Sequence, residues 1–157
     1  MKIKSLIAPA LALGLLAAST AGWAQQAPKP EQLIKWRQSA YQVLGWSSGR
    51  IKANLDGTYN KEDVIKAANT IAAIANSSLG ALYAPGTETG KGWHDTTVKP
   101  ALFTDGAKVG AAANAFTHEA NELAKVAQTG DAAAVKTQYG ALTKTCKGCH
   151  DDFRNSN

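Results

Sequence analysis

The chain has 157 residues, enough for one domain with a buried core and too few for two domains of ordinary size. Its 17 basic and 12 acidic residues give a formal net charge of +5, and only 18% of residues are charged, which argues against a disordered polyelectrolyte. Alanine is abundant and aromatic residues make up 7%, a composition that favours closely packed helices.

The N-terminal residues have the pattern of a secretory signal peptide. A basic start, Met1–Lys4, is followed by a short apolar run over 6–18 and by small residues that end at Ala24. The apolar run is too short for a comfortable membrane span, so a retained N-terminal anchor is the weaker alternative. We expect cleavage after Ala24, with Ala27 as the second choice.

The predicted mature domain, residues 25–157, has a mild charge. Removal of the two leader lysines leaves 15 basic and 12 acidic residues, so the net charge is +3. This charge is too weak and too scattered to predict nucleic-acid binding. The sequence therefore predicts an exported protein without membrane insertion of the mature chain.

Four helical patterns separated by turn signals follow the leader. The first runs from about Pro30 to Arg50, and the second begins after the capping residue Asn60 and extends to about Leu82. An irregular segment rich in glycine and proline covers 84–103, and connections of this length are usually functional or mobile.

The second half of the chain contains two more helical patterns. The third helix is expected to start near Thr104 or Asp105 and to end at Gly130, and Asp131 is a cap for a fourth helix that reaches Phe153. No strand-like alternation of useful length is present in the sequence. The pattern predicts an all-α protein, an antiparallel four-helix bundle.

The last helix carries a C-x-x-C-H run, which is typical of c-type haem attachment. The thiols of Cys146 and Cys149 can reach the two vinyl groups along one edge of a porphyrin. His150 lies four positions after Cys146 on the same helix face, where its imidazole can ligate the iron. The export signal agrees, because bacteria attach c-type haem outside the cytoplasm. We predict one covalently attached haem c per chain.

Two other uses of the cysteine pair are weaker. A thioredoxin-like redox motif expects a βαβ context, which a helical chain does not provide. A closed structural zinc site needs about four protein ligands, so it would have to recruit His94 or His118.

Few residues can provide a second axial ligand. The only methionine is Met1, which leaves with the signal peptide, so the His/Met ligation of ordinary small cytochromes c is excluded. His118 is turned about 200° from the core residue Phe116 on the helix wheel. His94 lies in the irregular segment and would need a loop movement to reach the iron. We predict an open sixth position.

Spacing also suggests which residues surround the haem. Arg37 and Tyr41 lie one turn apart on the inward face of the first helix. Arg37 can bind a propionate or be a surface arginine, and Tyr41 can be a haem contact or an ordinary core residue. Arg154 lies one turn after His150 and can modulate the proximal side or act only on the helix dipole.

Several short motifs are similar to those of the cytochrome c′ family, over essentially the whole mature chain and in the same order. They are Lys29-Pro30-Glu31, Trp36-Arg37-Gln38-Ser39-Ala40-Tyr41, Tyr83-Ala84-Pro85-Gly86-Thr87-Glu88, Lys99-Pro100, and the C-x-x-C-H run with Phe153-Arg154. The resemblance implies a periplasmic four-helix bundle, usually a homodimer, with a high-spin five-coordinate haem. It also implies binding of NO and CO, with roles in nitric oxide handling and electron transfer.

The resemblance implies a role for each residue that matches a family motif. These residues are Cys146 and Cys149 as thioether cysteines, His150 as axial ligand, Arg37 and Gln38 at the haem propionates, Tyr41 as bulky distal residue, Tyr83 as an aromatic near the distal side, and Arg154 beside the axial histidine. The segment 89–94 does not align with the family pattern, so the resemblance assigns it no haem contact.

Two functions remain open, and neither makes the protein an enzyme. The first is a gas-binding haem protein that can also transfer electrons. The second is a dedicated electron carrier whose positive charge steers it to an acidic partner, which no motif identifies. A peroxidase is weaker, because it would need a distal histidine or acid and Tyr41 is poor for that role.

The outward faces of the first two helices carry small residues, which predict a C2 homodimer. These residues are Ala40, Ser47, Ala67, Ala73 and Ala81.

Overall fold

A computed structural model describes residues 27–155, so the predicted signal peptide, residues 1–24, lies outside the described residues. The elements in chain order are α1 (Pro30–Asp56), α2 (Lys61–Ala75), a 3-10 helix (Leu79–Leu82), α3 (Ala101–Thr104), α4 (Gly106–Thr129) and α5 (Ala132–Phe153). Over these residues no strand forms, and the only β-type pairings are isolated bridges of Lys91 with Asp95 and of Val98 with Arg154. The predicted all-α four-helix bundle is confirmed.

Polar side chains cap the helices where the sequence predicts. Asn60 Oδ1 accepts the backbone N–H of Asp63 at 3.1 Å and begins α2. Asp105 begins α4 by accepting the N–H of Lys108 at 3.1 Å, and Asp131 begins α5 in the same way. Gly130 ends α4 with φ of 77°, a left-handed conformation that glycine adopts without strain.

The first two helices end at other positions than predicted. α1 continues past Arg50 to Asp56, and α2 ends at Ala75 instead of Leu82. Polar side chains terminate α2, because Asn76 Nδ2 donates to the carbonyl of Ala72 at 2.7 Å and the next residues leave the helical backbone. Ser78 then adopts a positive φ of 61°, which a continuing helix does not allow.

The helices pack in the order α1, α2, α4, α5, and α1 meets α5 over a short stretch only. The core between them is made of aliphatic side chains that are fully or almost fully buried: Ile51, Val64, Ile71, Leu123, Val135 and Leu142. Ser48 of α1 lies 2.8 Å from the Tyr139 hydroxyl of α5 and marks the place where these two helices touch. No helix within residues 27–155 has the length and apolarity needed to cross a bilayer.

The outward faces of the first two helices differ in part from the prediction, although Ala73 and Ala81 are exposed as expected. Ser47 and Ala67 are fully buried, because their small side chains lie inside the bundle, where they let helices approach closely. The exposed apolar residues of α1 are instead large, and Trp36 and Trp46 keep 48% and 61% of their surface exposed, with Val43 between them.

Asp63 connects the first two helices through charged and polar contacts. Its carboxylate pairs with Arg50 of α1 and accepts a hydrogen bond from Asn54 Nδ2 at 2.9 Å. These hydrogen bonds, that from Arg50 first, lower the pKa of Asp63. The folded state therefore favours the ionised form of Asp63 more than the unfolded chain does.

We expect Asp63→Asn to lower the melting temperature by a few degrees at neutral pH. The contribution of Asp63 is fully present above the unfolded pKa of about 4 and is lost as the pH falls through the lowered folded value, so the difference should shrink in acid. Thermal unfolding of both proteins from neutral to acidic pH measures it. The control is Asp56→Asn, which breaks an exposed pair with Lys52 and should change little. A difference that grows in acid would contradict this assignment.

Candidate haem site

The C-x-x-C-H residues lie in the last two turns of α5, where both cysteines are free thiols. Cys146 is exposed and Cys149 half-buried as residues, but partial burial of the thiol groups raises the pKa of both, whereas a redox-active C-x-x-C pair has a lowered pKa. Burial, with the charge of Arg154 as a second cause, lowers the pKa of His150. The imidazole is therefore neutral at physiological pH, which is the form that binds a metal.

Tyr41 lies on the opposite side of this site. Tyr41 precedes Ser48 by two turns of α1, and Cys146 follows Tyr139 by two turns of α5. Because Ser48 contacts Tyr139 and the two helices are antiparallel, Tyr41 and Cys146 lie at the same level of the bundle. Burial raises the pKa of Tyr41, and a thiolate at Cys149 would raise it further. Yet 41% of the Tyr41 surface is uncovered. Because α1 and α5 touch over a short stretch only, we infer that Tyr41 borders a cleft between these two helices at the level of the cysteines.

Tyr83 lies beside Tyr41 and is held from both sides. Its hydroxyl donates a hydrogen bond to the Tyr41 hydroxyl at 3.1 Å, and burial raises its pKa. The Arg37 guanidinium carbon lies 4.7 Å from the Tyr83 ring centroid, and the Phe103 ring meets it edge to face at 6.3 Å. These contacts place Tyr83 at the Tyr41 side of the cleft.

The Arg37 guanidinium is buried, with 2% of the residue exposed. Its Nη1 donates to Leu82 O at 3.2 Å and to Thr87 Oγ1 at 2.8 Å, and its Nη2 donates to Thr87 O at 2.7 Å and to Thr96 Oγ1 at 2.8 Å. A buried cation needs such acceptors to offset the loss of water. Only Nε–H is left for a haem propionate, so that predicted contact stays a prediction.

Gln38 holds the 91–95 turn against α1. Its Oε1 accepts the N–H of Trp93 at 2.7 Å, and its Nε2 donates to His94 O at 2.9 Å. A Cβ on Gly92 would lie 2.5 Å from that Oε1, so the turn approaches α1 closely only because residue 92 is glycine. One Nε2–H of Gln38 remains for the predicted propionate contact, which no other observation tests.

The two spare histidines have partners away from the cleft residues. His94 Nδ1 lies 2.8 Å from Asp95 O and therefore carries the proton, so its 3.3 Å approach to Gln38 Nε2 is not a hydrogen bond. His118 is exposed on α4, 3.1 Å from Glu119, which confirms the predicted surface position. His94 is tied to the turn that Gln38 holds.

The end of α5 is fixed by the segment before α3. The N–H of Lys99 donates to Phe153 O and the N–H of Asn155 to Thr97 O, both at 2.8 Å. Arg154 is exposed next to these bonds, and its positive charge is the second cause, after burial, of the lowered pKa of His150. Whether Arg154 modulates the proximal side or acts only on the helix dipole stays a prediction.

The residues fit a covalently attached haem. Two free thiols and a neutral imidazole occupy one end of α5, and a cleft lined by Tyr41 separates that end from α1. When bound, the haem supplies an iron that can exchange electrons and take a diatomic ligand. The bundle and this site define a c-type haem protein.

Comparison with known proteins identifies the family. Residues 32–154 match the family model described as Cytochrome C'. The chain is 72% identical to the cytochrome c′ of Rhodocyclus tenuis over 127 residues, which cover 80% of this chain and 96% of the relative. The chain therefore belongs to the cytochrome c′ family, whose members carry covalently bound haem c.

Solved structures of cytochromes c′ are similar to this chain in fold. One is a cytochrome c′ described as having an unusual ligand-controlled dimer dissociation, with 50% identity and a TM-score of 0.80 over 82% of this chain and 98% of that one. Another is a variant of the cytochrome c′ of Alcaligenes xylosoxidans in complex with nitric oxide, with 25% identity and a TM-score of 0.73 over 82% and 98%. A further variant of that protein is bound to carbon monoxide.

Proposed function

We propose that this protein is an exported, non-enzymatic haem protein that binds NO and CO and transfers electrons. One observation carries the gas-binding proposal: Tyr41, 41% exposed, borders the cleft between α1 and α5 at the level of the cysteines, where its phenol is neutral at physiological pH. A neutral phenol is a poor iron ligand, so Tyr41 limits the size of a ligand without taking its place. The nitric oxide and carbon monoxide complexes of the Alcaligenes xylosoxidans variants support the same ligands here.

The remaining candidate ligands support five-coordinate iron with His150 alone. The sequence contains one methionine, at the start of the predicted signal peptide. His94 is bonded to its own turn and His118 is exposed beside Glu119. Neither His94 nor His118 is therefore placed to compete with a diatomic ligand.

Electron transfer and location rest on two features. Cys146 is exposed, so a porphyrin edge attached to it would lie near the surface, where a redox partner could approach. Thioether attachment outside the cytoplasm and the signal-peptide pattern of residues 1–24 support the periplasm.

Absorption spectra of the purified protein test the gas-binding proposal. The oxidised and reduced forms should be high-spin and five-coordinate, and the reduced form should change its spectrum on addition of CO. A low-spin six-coordinate spectrum in both oxidation states, unchanged by CO, would overturn the proposal in favour of a dedicated electron carrier.

The exposed aromatic face of α1 supports a homodimer. Trp36, Val43 and Trp46 form an apolar stripe on one face of α1, and large exposed aromatic residues are enriched at interfaces. The 50% identical cytochrome c′ with ligand-controlled dimer dissociation supports a second copy as the occupant.

We expect Trp46→Glu to weaken dimerisation by about tenfold or more, because it places a charge in a desolvated apolar contact. Sedimentation or light scattering over a concentration series measures the dissociation constant. The matched control is Ala113→Glu, which adds the same charge to an exposed position of α4. Equal effects of both substitutions, or a wild type that stays monomeric at high concentration, would count against this interface.

A further inference from the structure

The two tyrosines of the cleft form a directed hydrogen bond. Tyr83 donates to Tyr41, and a phenol has one hydrogen, so the hydrogen of Tyr83 is used in this bond. Among residues 27–155 neither hydroxyl has another hydrogen-bond partner. The Tyr41 hydrogen is therefore available to an acceptor in the cleft that Tyr41 lines.

The position of Tyr83 is fixed by its neighbours. Its ring lies between Arg37 at 4.7 Å and Phe103 at 6.3 Å. Arg37 cannot move away easily, because its guanidinium is buried and bonded to Leu82, Thr87 and Thr96. The Tyr83 hydroxyl is consequently held at a defined point beside Tyr41.

Ionisation does not reverse this arrangement near neutral pH. Burial raises the pKa of both tyrosines from an already alkaline value, so both phenols stay protonated. Tyr41 keeps 41% of its surface exposed and, within the described part of the chain, has no ring contact of the kind that holds Tyr83. The hydrogen bond from Tyr83 is thus what restricts the orientation of the Tyr41 hydroxyl.

We propose that Tyr83 is a positioning residue that orients Tyr41, so that the Tyr41 hydroxyl donates a hydrogen bond to a diatomic ligand in the cleft. This proposal rests on the proposed gas-binding function and adds a mechanism of ligand recognition to it. The hydrogen bond would stabilise polar bound ligands, and this stabilisation would depend on Tyr83, which does not itself contact the ligand.

The test uses phenylalanine substitutions, which remove one oxygen and keep the ring. In the CO complex of the reduced wild-type protein, the infrared C–O stretching band should be single and narrow. Tyr41→Phe should move it to higher frequency and speed CO dissociation about fivefold, the effect of losing one hydrogen bond of about 1 kcal/mol. Tyr83→Phe should broaden or split the band, because the Tyr41 hydroxyl then takes several orientations.

The double variant separates positioning from a direct effect. If Tyr83 acts through Tyr41, adding Tyr83→Phe to Tyr41→Phe should change neither the band nor the dissociation rate further. The control is Tyr139→Phe, which removes a hydroxyl bonded to Ser48 and should leave the band unchanged. Additive effects of the two substitutions, or no effect of Tyr83→Phe alone, would overturn the proposal.

A ligand-free measurement tests the tyrosine pair separately. Ultraviolet resonance Raman bands of tyrosine in the oxidised protein report hydrogen bonding of the hydroxyl. Tyr83→Phe should change the Tyr41 signal, and an unchanged signal would contradict the directed bond. Failure of the wild type to bind CO would instead refute the proposed function, so the two failures are distinguishable.

Discussion

Replacement of both Cys146 and Cys149 by alanine should give protein whose colour is lost on acid–acetone extraction, whereas the wild type keeps its pigment. The reason is that the two thioether bonds are covalent, and His150 alone would leave a haem held by one coordinate bond and by contacts in the cleft. Mass spectrometry of the wild type should show the apoprotein mass plus one haem. We expect complete loss of the covalent adduct in the double variant.

Three further variants make this result specific. Either single cysteine substitution should keep the haem through the remaining thioether, and Lys147→Ala, an exposed residue between the cysteines, should keep it fully. Pigment that extracts freely from the wild type would exclude covalent attachment, and the raised thiol pKa values would then describe two unmodified structural cysteines.

The parts of the fold that the sequence predicts are those set by local chemistry. Caps at Asn60, Asp105 and Asp131 need only residues within one turn, and all three are present. The predicted end of α2 was wrong, also because of a local interaction. Apolar spacing continues to Leu82, but Asn76 bonds back to the helix and stops it first.

The site divides in the same way. Cys146 and His150 are one turn apart, so helix geometry alone predicts that they share a face. The partners of Arg37 lie 45 to 59 positions away, in a segment whose glycines and prolines give no periodic signal. The contact between Tyr83 and Tyr41 spans 42 positions for the same reason. The sequence predicts that these residues lie near the haem, but it contains no signal that they bind one another.

Small residues were the least informative part of the sequence. Serine and alanine are common both on helix surfaces and at close helix contacts, so Ser47 and Ala67 were wrongly assigned to the outside. Two exposed tryptophans were the better signal for an interface, because exposing a large aromatic side chain on a monomer is costly. The proposed homodimer accordingly rests on Trp36 and Trp46.

The second large effect is expected at Tyr41. Tyr41→Ala should speed association of CO with the reduced protein by about tenfold or more, which corresponds to a barrier lower by about 1.4 kcal/mol. The phenol ring lines the cleft across from Cys149, so an entering ligand must displace or pass it. Flash photolysis or stopped-flow mixing measures the rate.

Tyr41→Phe is the matched control for this steric effect. It keeps the ring and should leave the CO association rate near that of the wild type. The bulk of the ring then shows in the association rate, and the hydrogen bond of the hydroxyl shows in the dissociation rate. A CO association rate indifferent to Tyr41→Ala would show that the ring does not guard the cleft. A low-spin spectrum that disappears on replacing His94 or His118 would show that a histidine, rather than Tyr41, controls access to the iron.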